Sequence, residues 1–161
     1  FCARLLGLNE EDLDTAAAPQ FISAGSPFLC ICLASPEAVD RAALQQQYLS
    51  QALGSVNSVG TFLFASKQRD SKENFDVYAR MFAPQTGIAE DPATGGATGP
   101  LAAYMMKYGL LPNTQPAHFV SEQGTKMGRQ SLLHVRTDPR AGTIEVGGHA
   151  VIIGKGSLFL S

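Results

Sequence analysis

Glu90-Asp91-Pro92-Ala93-Thr94-Gly95-Gly96-Ala97-Thr98-Gly99-Pro100 runs directly into Leu101-Ala102-Ala103-Tyr104-Met105-Met106-Lys107-Tyr108-Gly109, and this junction of a polar turn with an apolar run decides the fold. Asp91 precedes a proline, which pushes its backbone toward extended conformations, while Pro92 has a fixed φ and no N–H. The carboxylate is thereby held on a stiff turn. Thr94, Gly95 and Gly96 then leave backbone N–H groups bare of bulky side chains where a helix begins. A helix start with unpaired donors favours a carboxylate or a phosphate. Pro100 fits only within a first helical turn, which predicts a start near Gly96 to Gly99, and Gly109 followed by Pro112 predicts the stop. Between Leu101 and Met106 the helix is apolar on nearly every side, so it belongs inside a wrapped structure. The same residues also suit a plain loop and helix cap, so this spacing by itself does not assign a function.

Strand-like segments lie on both sides of that helix. Upstream, Gln20 to Ser23 reads as a strand that ends at Ala24-Gly25-Ser26-Pro27, and Phe28 to Leu33 is a continuous apolar run bounded by turn residues, the pattern of a buried strand. Ser35 as cap and Pro36 at the first position predict one helix from Pro36 to Leu53. Val59 to Ser66 and Phe75 to Phe82 read as further strands, the second alternating as a strand packed on one face would, with the charged loop Gln68 to Asn74 between them. Ala3 to Leu13 carries apolar positions at helical spacing. Downstream, the expected strands are Ala117 to Gly124, Ser131 to Thr137, Thr143 to Val146, Gly148 to Ile153 and Ser157 to Leu160, with Asp138 to Gly142 as a hairpin. The fold class that follows is α+β, a mixed and mostly antiparallel sheet wrapped around a central apolar helix, with a second helix outside.

A chain of 161 residues suffices for one domain over 1–161 with its own core. Hydrophobic residues make up 45% and charged residues 16%, which is apolar enough to suggest a partner surface. The formal net charge of −2 and the scattered Lys and Arg residues give no footprint for nucleic acid or an anionic membrane. No stretch approaches the roughly 20 apolar residues of a membrane span, so a soluble domain is expected. The first residue is Phe1, with no signal-peptide pattern after it, and the beginning reads as a cut. The cysteines number three, at positions 2, 30 and 32, without the spacing of a disulfide framework; a reducing compartment, the cytoplasm, fits better. Cys30 and Cys32 would share one strand face, where buried small hydrophobes are favoured over metal ligands. His118, His134 and His149 stand in no catalytic spacing with a Ser, Cys or acid, and ordinary structural or surface roles are expected.

Three motifs occur in a fixed order: Arg80-Met81-Phe82-Ala83-Pro84, then Gly87-Ile88-Ala89-Glu90-Asp91-Pro92-Ala93-Thr94-Gly95, then Gly124-Thr125-Lys126-Met127-Gly128-Arg129. As a package they resemble the phenazine-biosynthesis PhzF-like family, from about Phe21 to the end of the chain. That family is related to diaminopimelate epimerases and proline racemases, and Asp91 stands where those relatives carry a catalytic cysteine. The resemblance implies two similar halves, each a sheet wrapped around a helix, with small acidic substrates bound between the two helix starts. It implies an isomerase or epimerase that moves a proton by acid/base chemistry without metal or organic cofactor.

By the same resemblance this chain looks like the second half, its partner being its own N-terminal half, which contributes a glutamate as principal acid/base. Asp91 would then be the second catalytic acid, orienting the substrate. Thr94, Gly95 and Gly96 would hold the substrate carboxylate, with Gly25 in a turn near the cleft. Gly25 suits a tight turn between two strands equally well. Most family members have serine where Gly96 stands, so one hydroxyl donor is missing. Arg129 is expected to pair with an acid across the sheet or to frame the cleft. The isolated chain is expected to be inactive. A reading from another class stays open, a non-catalytic protein-interaction module with a vestigial cleft, as does pairing of identical halves into a dimer.

Overall fold

Phe28, Cys30 and Cys32 alternate with Leu29, Ile31 and Leu33, and both sets are buried, so the strand that carries them is covered on two faces. In the computed structural model, which describes residues 1–54, 60–66, 76–111 and 113–159, this is β2 (Pro27–Cys32). Around it run β1 (Gln20–Ser23), β3 (Gly60–Ser66), β4 (Val77–Ala83), β5 (Ile88–Asp91), β6 (Ala117–Gln123), β7 (Ser131–Asp138) and β8 (Thr143–Gly147). They form a single sheet in the order β1-β2-β3-β4-β6-β7-β8, with β5 attached to β4. Only β2 with β3 and β4 with β6 pair in parallel; the other pairs are antiparallel, which is the mixed, mostly antiparallel sheet expected.

The sheet curls. Both of its edge strands, β1 and β8, pack against the same helix, α4 (Gly95–Lys107), which fills the concave face. Leu101, Ala102, Tyr104 and Met105 from the helix meet Phe62, Phe64, Met81, Phe119 and Val135 from the strands. The helix ends as its glycine requires: Gly109 sits at φ 71, its N–H donates to Met106 and that of Leu110 to Met105, closing a Schellman motif. Its start departs from expectation. Thr94 is the N-cap and Gly95 the first helical residue, so Pro100 lies inside the helix and not in its first turn. Pro100 has no N–H to offer the Gly96 carbonyl, one turn back.

On the convex face, α1 (Cys2–Leu6) and α2 (Pro36–Arg41) cover Leu29, Ile31, Leu63, Ala65, Tyr78 and Phe82. β4 is therefore buried on both faces, where its alternation predicted one. Ser35 caps α2 as expected, its Oγ accepting from Ala38 N–H at 3.2 Å. The single helix expected from Pro36 to Leu53 is broken after Arg41 and resumes only as α3 (Leu49–Leu53). The cause is tertiary: Ala43 and Gln45 give their N–H groups to Leu6 and Leu5 at the end of α1.

The strands expected at Gly148 to Ile153 and from Ser157 are absent; over 148–159 the backbone is irregular and Val151, Ile152, Ile153, Leu158 and Phe159 are exposed. An apolar run becomes a strand only where it bonds to a neighbouring strand, and over 148–159 no strand pairing forms. β5, by contrast, lies where a turn was expected. The expected loop at Gln68 to Asn74, the strand ends at Val59 and Phe75, Pro112 and Leu160 lie outside the described residues. No helix among the described residues is long and apolar enough to cross a membrane.

Candidate functional site

Glu90 and Asp91 are adjacent on β5, and strand alternation sends them to opposite faces of the sheet. Glu90 meets Arg80, which is 7% exposed, in a bidentate pair with both N–O distances at 2.9 Å. The same guanidinium donates to the carbonyls of Val39, Asp40 and Ala42 at the end of α2 and lies 4.6 Å over the Phe82 ring. Glu90 is thus a structural acid. Asp91 pairs with Met81, whose side chain belongs to the core around α4, so its carboxylate falls on the helix side, beside the start of α4.

There Asp91 is half-buried, and its Oδ2 accepts from the Thr94 hydroxyl at 2.6 Å. Gln123, fully buried at the end of β6, closes the turn: Oε1 accepts from Thr94 N–H at 3.1 Å, and Nε2 donates to the Asp91 carbonyl at 2.6 Å and to Thr94 Oγ1 at 2.8 Å. Gly124, next in the chain, adopts φ +79, and a Cβ there would sit 2.8 Å from the Pro92 carbonyl oxygen. The third motif is thereby seated directly on the second. Gln123 escaped the sequence reading; its signal was the polar run Ser121-Glu122-Gln123 that closes the strand just before the motif's first glycine.

Gly95 and Gly96 are exposed, a Cβ on either would meet nothing within 4 Å, and their N–H groups have no partner among the described residues. The start of α4 opens onto a cleft of about 570 Å³, lined by Ala93 and Gly95 on one side and by Ser131, Leu133, Val146 and His149 among others on the other. A second hollow, of about 450 Å³, lies at the far end of β6 and β7 around His118, Arg136 and Glu145, away from the acidic turn. The structure therefore brings Asp91, Thr94, Gly95 and Gly96 together. Gly25, at φ +119, is exposed on the β1–β2 turn, its N–H bonded to Ser23 Oγ at 3.1 Å, and β1 meets α4 through Gln20 to Ser23 beside Pro100 to Lys107.

Of the other candidates, Arg129 is exposed and makes no ion pair among the described residues, where the arginines that meet an acid are Arg41 with Asp12, Arg80 with Glu90 and Arg136 with Glu145. The histidines form a diagonal row across β6, β7 and the segment after β8, with ring centroids 6.0 Å apart for His118 and His134 and 5.9 Å for His134 and His149. Cys30 and Cys32 are buried free thiols under α4. Burial pushes both up, Cys32 to about 12 with help from the charge of Asp14 and a hydrogen bond to it. Among the described residues no group of three or more His, Cys, Asp or Glu is placed to hold a metal ion.

A mixed sheet curled around one helix, with an acidic turn at the helix start, defines one half of the diaminopimelate epimerase-like class of folds. The chain belongs to the phenazine biosynthesis-like protein family, whose model matches residues 2–156. It is 31% identical to an uncharacterised isomerase of Clostridium acetobutylicum over 98% of this chain and 53% of that protein. It is 39% identical to the trans-2,3-dihydro-3-hydroxyanthranilate isomerase of Pseudomonas fluorescens, over 51% of this chain and 30% of that one. Among solved structures, one described as a predicted epimerase from Pseudomonas aeruginosa superposes with a TM-score of 0.74 at 31% identity, covering 99% of this chain and 51% of that one. A phenazine biosynthesis protein of the PhzF family from Bacillus anthracis gives 0.73 at 20% identity, over 90% and 49% respectively. The chain thus spans about half the length of these full relatives.

Proposed function

We propose that this chain is the C-terminal half of a cofactor-independent isomerase that moves a proton within a small carboxylate substrate. One observation carries the reading: Asp91 is locked onto the face of β5 that meets the start of α4, beside two glycines whose N–H groups are uncommitted. The N–H groups of Gly95 and Gly96 would hold the substrate carboxylate against the positive end of the helix. Asp91 would accept a hydrogen bond from the substrate group next to the reacting carbon and exchange that group's proton with it, while a glutamate from the N-terminal half removes the proton on the carbon and returns it elsewhere. General acid/base work of this kind contributes about 10²–10⁴ in rate. The relatives named trans-2,3-dihydro-3-hydroxyanthranilate isomerase make that compound the first substrate to try.

The test uses the full-length gene product, followed in D₂O by NMR for loss of trans-2,3-dihydro-3-hydroxyanthranilate and for deuterium entering its isomerised product. Asp91→Ala should lower turnover at least about a hundredfold, and Gly96→Val should raise KM. Unchanged kinetics in both variants would remove Asp91 and Gly96 from the site. A second reading, the protein-interaction module, is favoured by the exposed apolar residues between Val151 and Phe159. It predicts no deuterium entry with any small carboxylate and specific binding of a protein that covers those residues.

A further inference from the structure

Every polar atom of the Gln123 amide is committed, although the residue is wholly buried. The contact of Oε1 with Thr94 N–H fixes which way round the amide sits, because a backbone N–H can only donate and would repel an NH₂ group in the same place. The two hydrogens of Nε2 are therefore aimed at the Asp91 carbonyl and at Thr94 Oγ1. Having accepted from Gln123, the Thr94 hydroxyl has its one hydrogen left for Asp91 Oδ2. Thr94 is buried, so a hydrogen turned anywhere else would lose its acceptor and find no water. Donation runs in one direction, from Gln123 through Thr94 to Oδ2.

We propose that Gln123 is a positioning residue for Asp91: by committing the Thr94 hydroxyl to Oδ2 it leaves Oδ1 as the oxygen that faces the substrate and exchanges a proton with it. A proton placed on Oδ2 would make Thr94 accept from both sides and strand its own hydrogen in a buried site. A proton on Oδ1 leaves the chain of donors undisturbed. Thr94 is also withdrawn from the substrate, since its N–H is held by Gln123 and its hydroxyl by Asp91. The substrate carboxylate is left to Gly95 and Gly96. Gln123 touches no substrate in this scheme and acts only through its neighbours. The proton step rests on the isomerase reading; the direction of donation does not.

Two measurements on the full-length gene product test the inference. In the native protein, both Gln123 side-chain amide protons should exchange with water at least tenfold more slowly than those of the exposed Gln46; exchange at the exposed rate overturns the proposal. With trans-2,3-dihydro-3-hydroxyanthranilate as substrate, Gln123→Met and Thr94→Val should each lower kcat tenfold or more while KM stays within twofold. The double variant should be no worse than either single one, and Thr94→Ser should restore turnover. Losses that multiply, or that appear in KM alone, overturn it. Failure of the native protein to turn over this compound would count against the isomerase reading, and proton exchange would still decide the wiring around Gln123.

Discussion

The backbone of Pro92 lies against Gly124 so closely that a Cβ at position 124 would stand 3.0 Å from Pro92 Cα and 2.8 Å from its carbonyl oxygen. Two motifs 32 residues apart in the chain, by the numbering of these two residues, thus meet backbone to backbone with no side chain between them. The contact sets how far the acidic turn sits from the end of β6, and so whether the Gln123 amide can reach Thr94.

Gly124→Ala should be severe for that reason. The new methyl would also face the Arg129 carbonyl at 2.3 Å, on a backbone at φ +79 that alanine rarely adopts. Overpacking and left-handed strain together predict a loss of about 3 kcal/mol or more. Denaturant melts would show it, and a midpoint matching the native protein would mean that the turn has room to move away from Pro92.

Arg80 gives a second prediction, because it ties the acidic turn to a helix on the opposite face of the sheet. Arg80→Met would leave the Glu90 carboxylate largely buried without its cation and the carbonyls of Val39, Asp40 and Ala42 without their donor. Breaking a buried pair from one side costs about 3–5 kcal/mol. The double change Arg80→Met with Glu90→Leu should recover part of that loss, since the uncompensated carboxylate is gone. Equal stability of the single and double variants would show that the carbonyl contacts, and not the ion pair, dominate.

Much of this was legible in the sequence. The apolar run from Leu101 to Met106 announced a wrapped helix, Gly109 its end and Ser35 a cap, because each depends on residues within one turn. What was missed depends on partners far away in the chain. Glu90 and Asp91 looked like the start of a turn and close β5 because β4 offers it an edge. The run from Gly148 to Ile153 looked like a strand and pairs with none. The break after Arg41 follows from hydrogen bonds to α1, and no local feature of Ala42 to Gln45 signals it. Asp91 stood out on the stiff Asp-Pro turn, and only the family resemblance suggested an acid's role for it; Gln123, which bonds its neighbour Thr94, is fixed only once β6 lies alongside.

Gly96→Ser bears on substrate binding. A Cβ at position 96 meets nothing within 4 Å, so the serine fits without displacing a neighbour, and leaving glycine favours the helix slightly. Its hydroxyl would stand beside the uncommitted N–H groups at the helix start. A hydrogen bond to a charged group predicts carboxylate binding tighter by about tenfold, read as a lower KM for trans-2,3-dihydro-3-hydroxyanthranilate with melts unchanged or slightly raised. Unaltered KM would place the anion elsewhere.

Alkaline pH should destabilise the fold through its buried thiols. The ordinary thiol value is 9.0, and in the folded chain Cys32 is pushed up to about 12, by burial first and then by the charge of Asp14 and a hydrogen bond to it. Cys30 moves the same way through burial and the neighbouring Cys32. Between pH 9 and 12 the unfolded chain releases protons that the folded chain retains. Stability is therefore intact below pH 9 and falls above it, by up to about 1.4 kcal/mol per pH unit for each such thiol. Tyr78 and Tyr104, also raised by burial from an ordinary 10.0, add to the slope at higher pH. Denaturant melts at half-unit steps from about pH 8 to 10.5 measure the slope. In Cys32→Ala it should flatten by about one proton's worth, and an unchanged slope would mean that Cys32 ionises in the folded chain as readily as in the unfolded one.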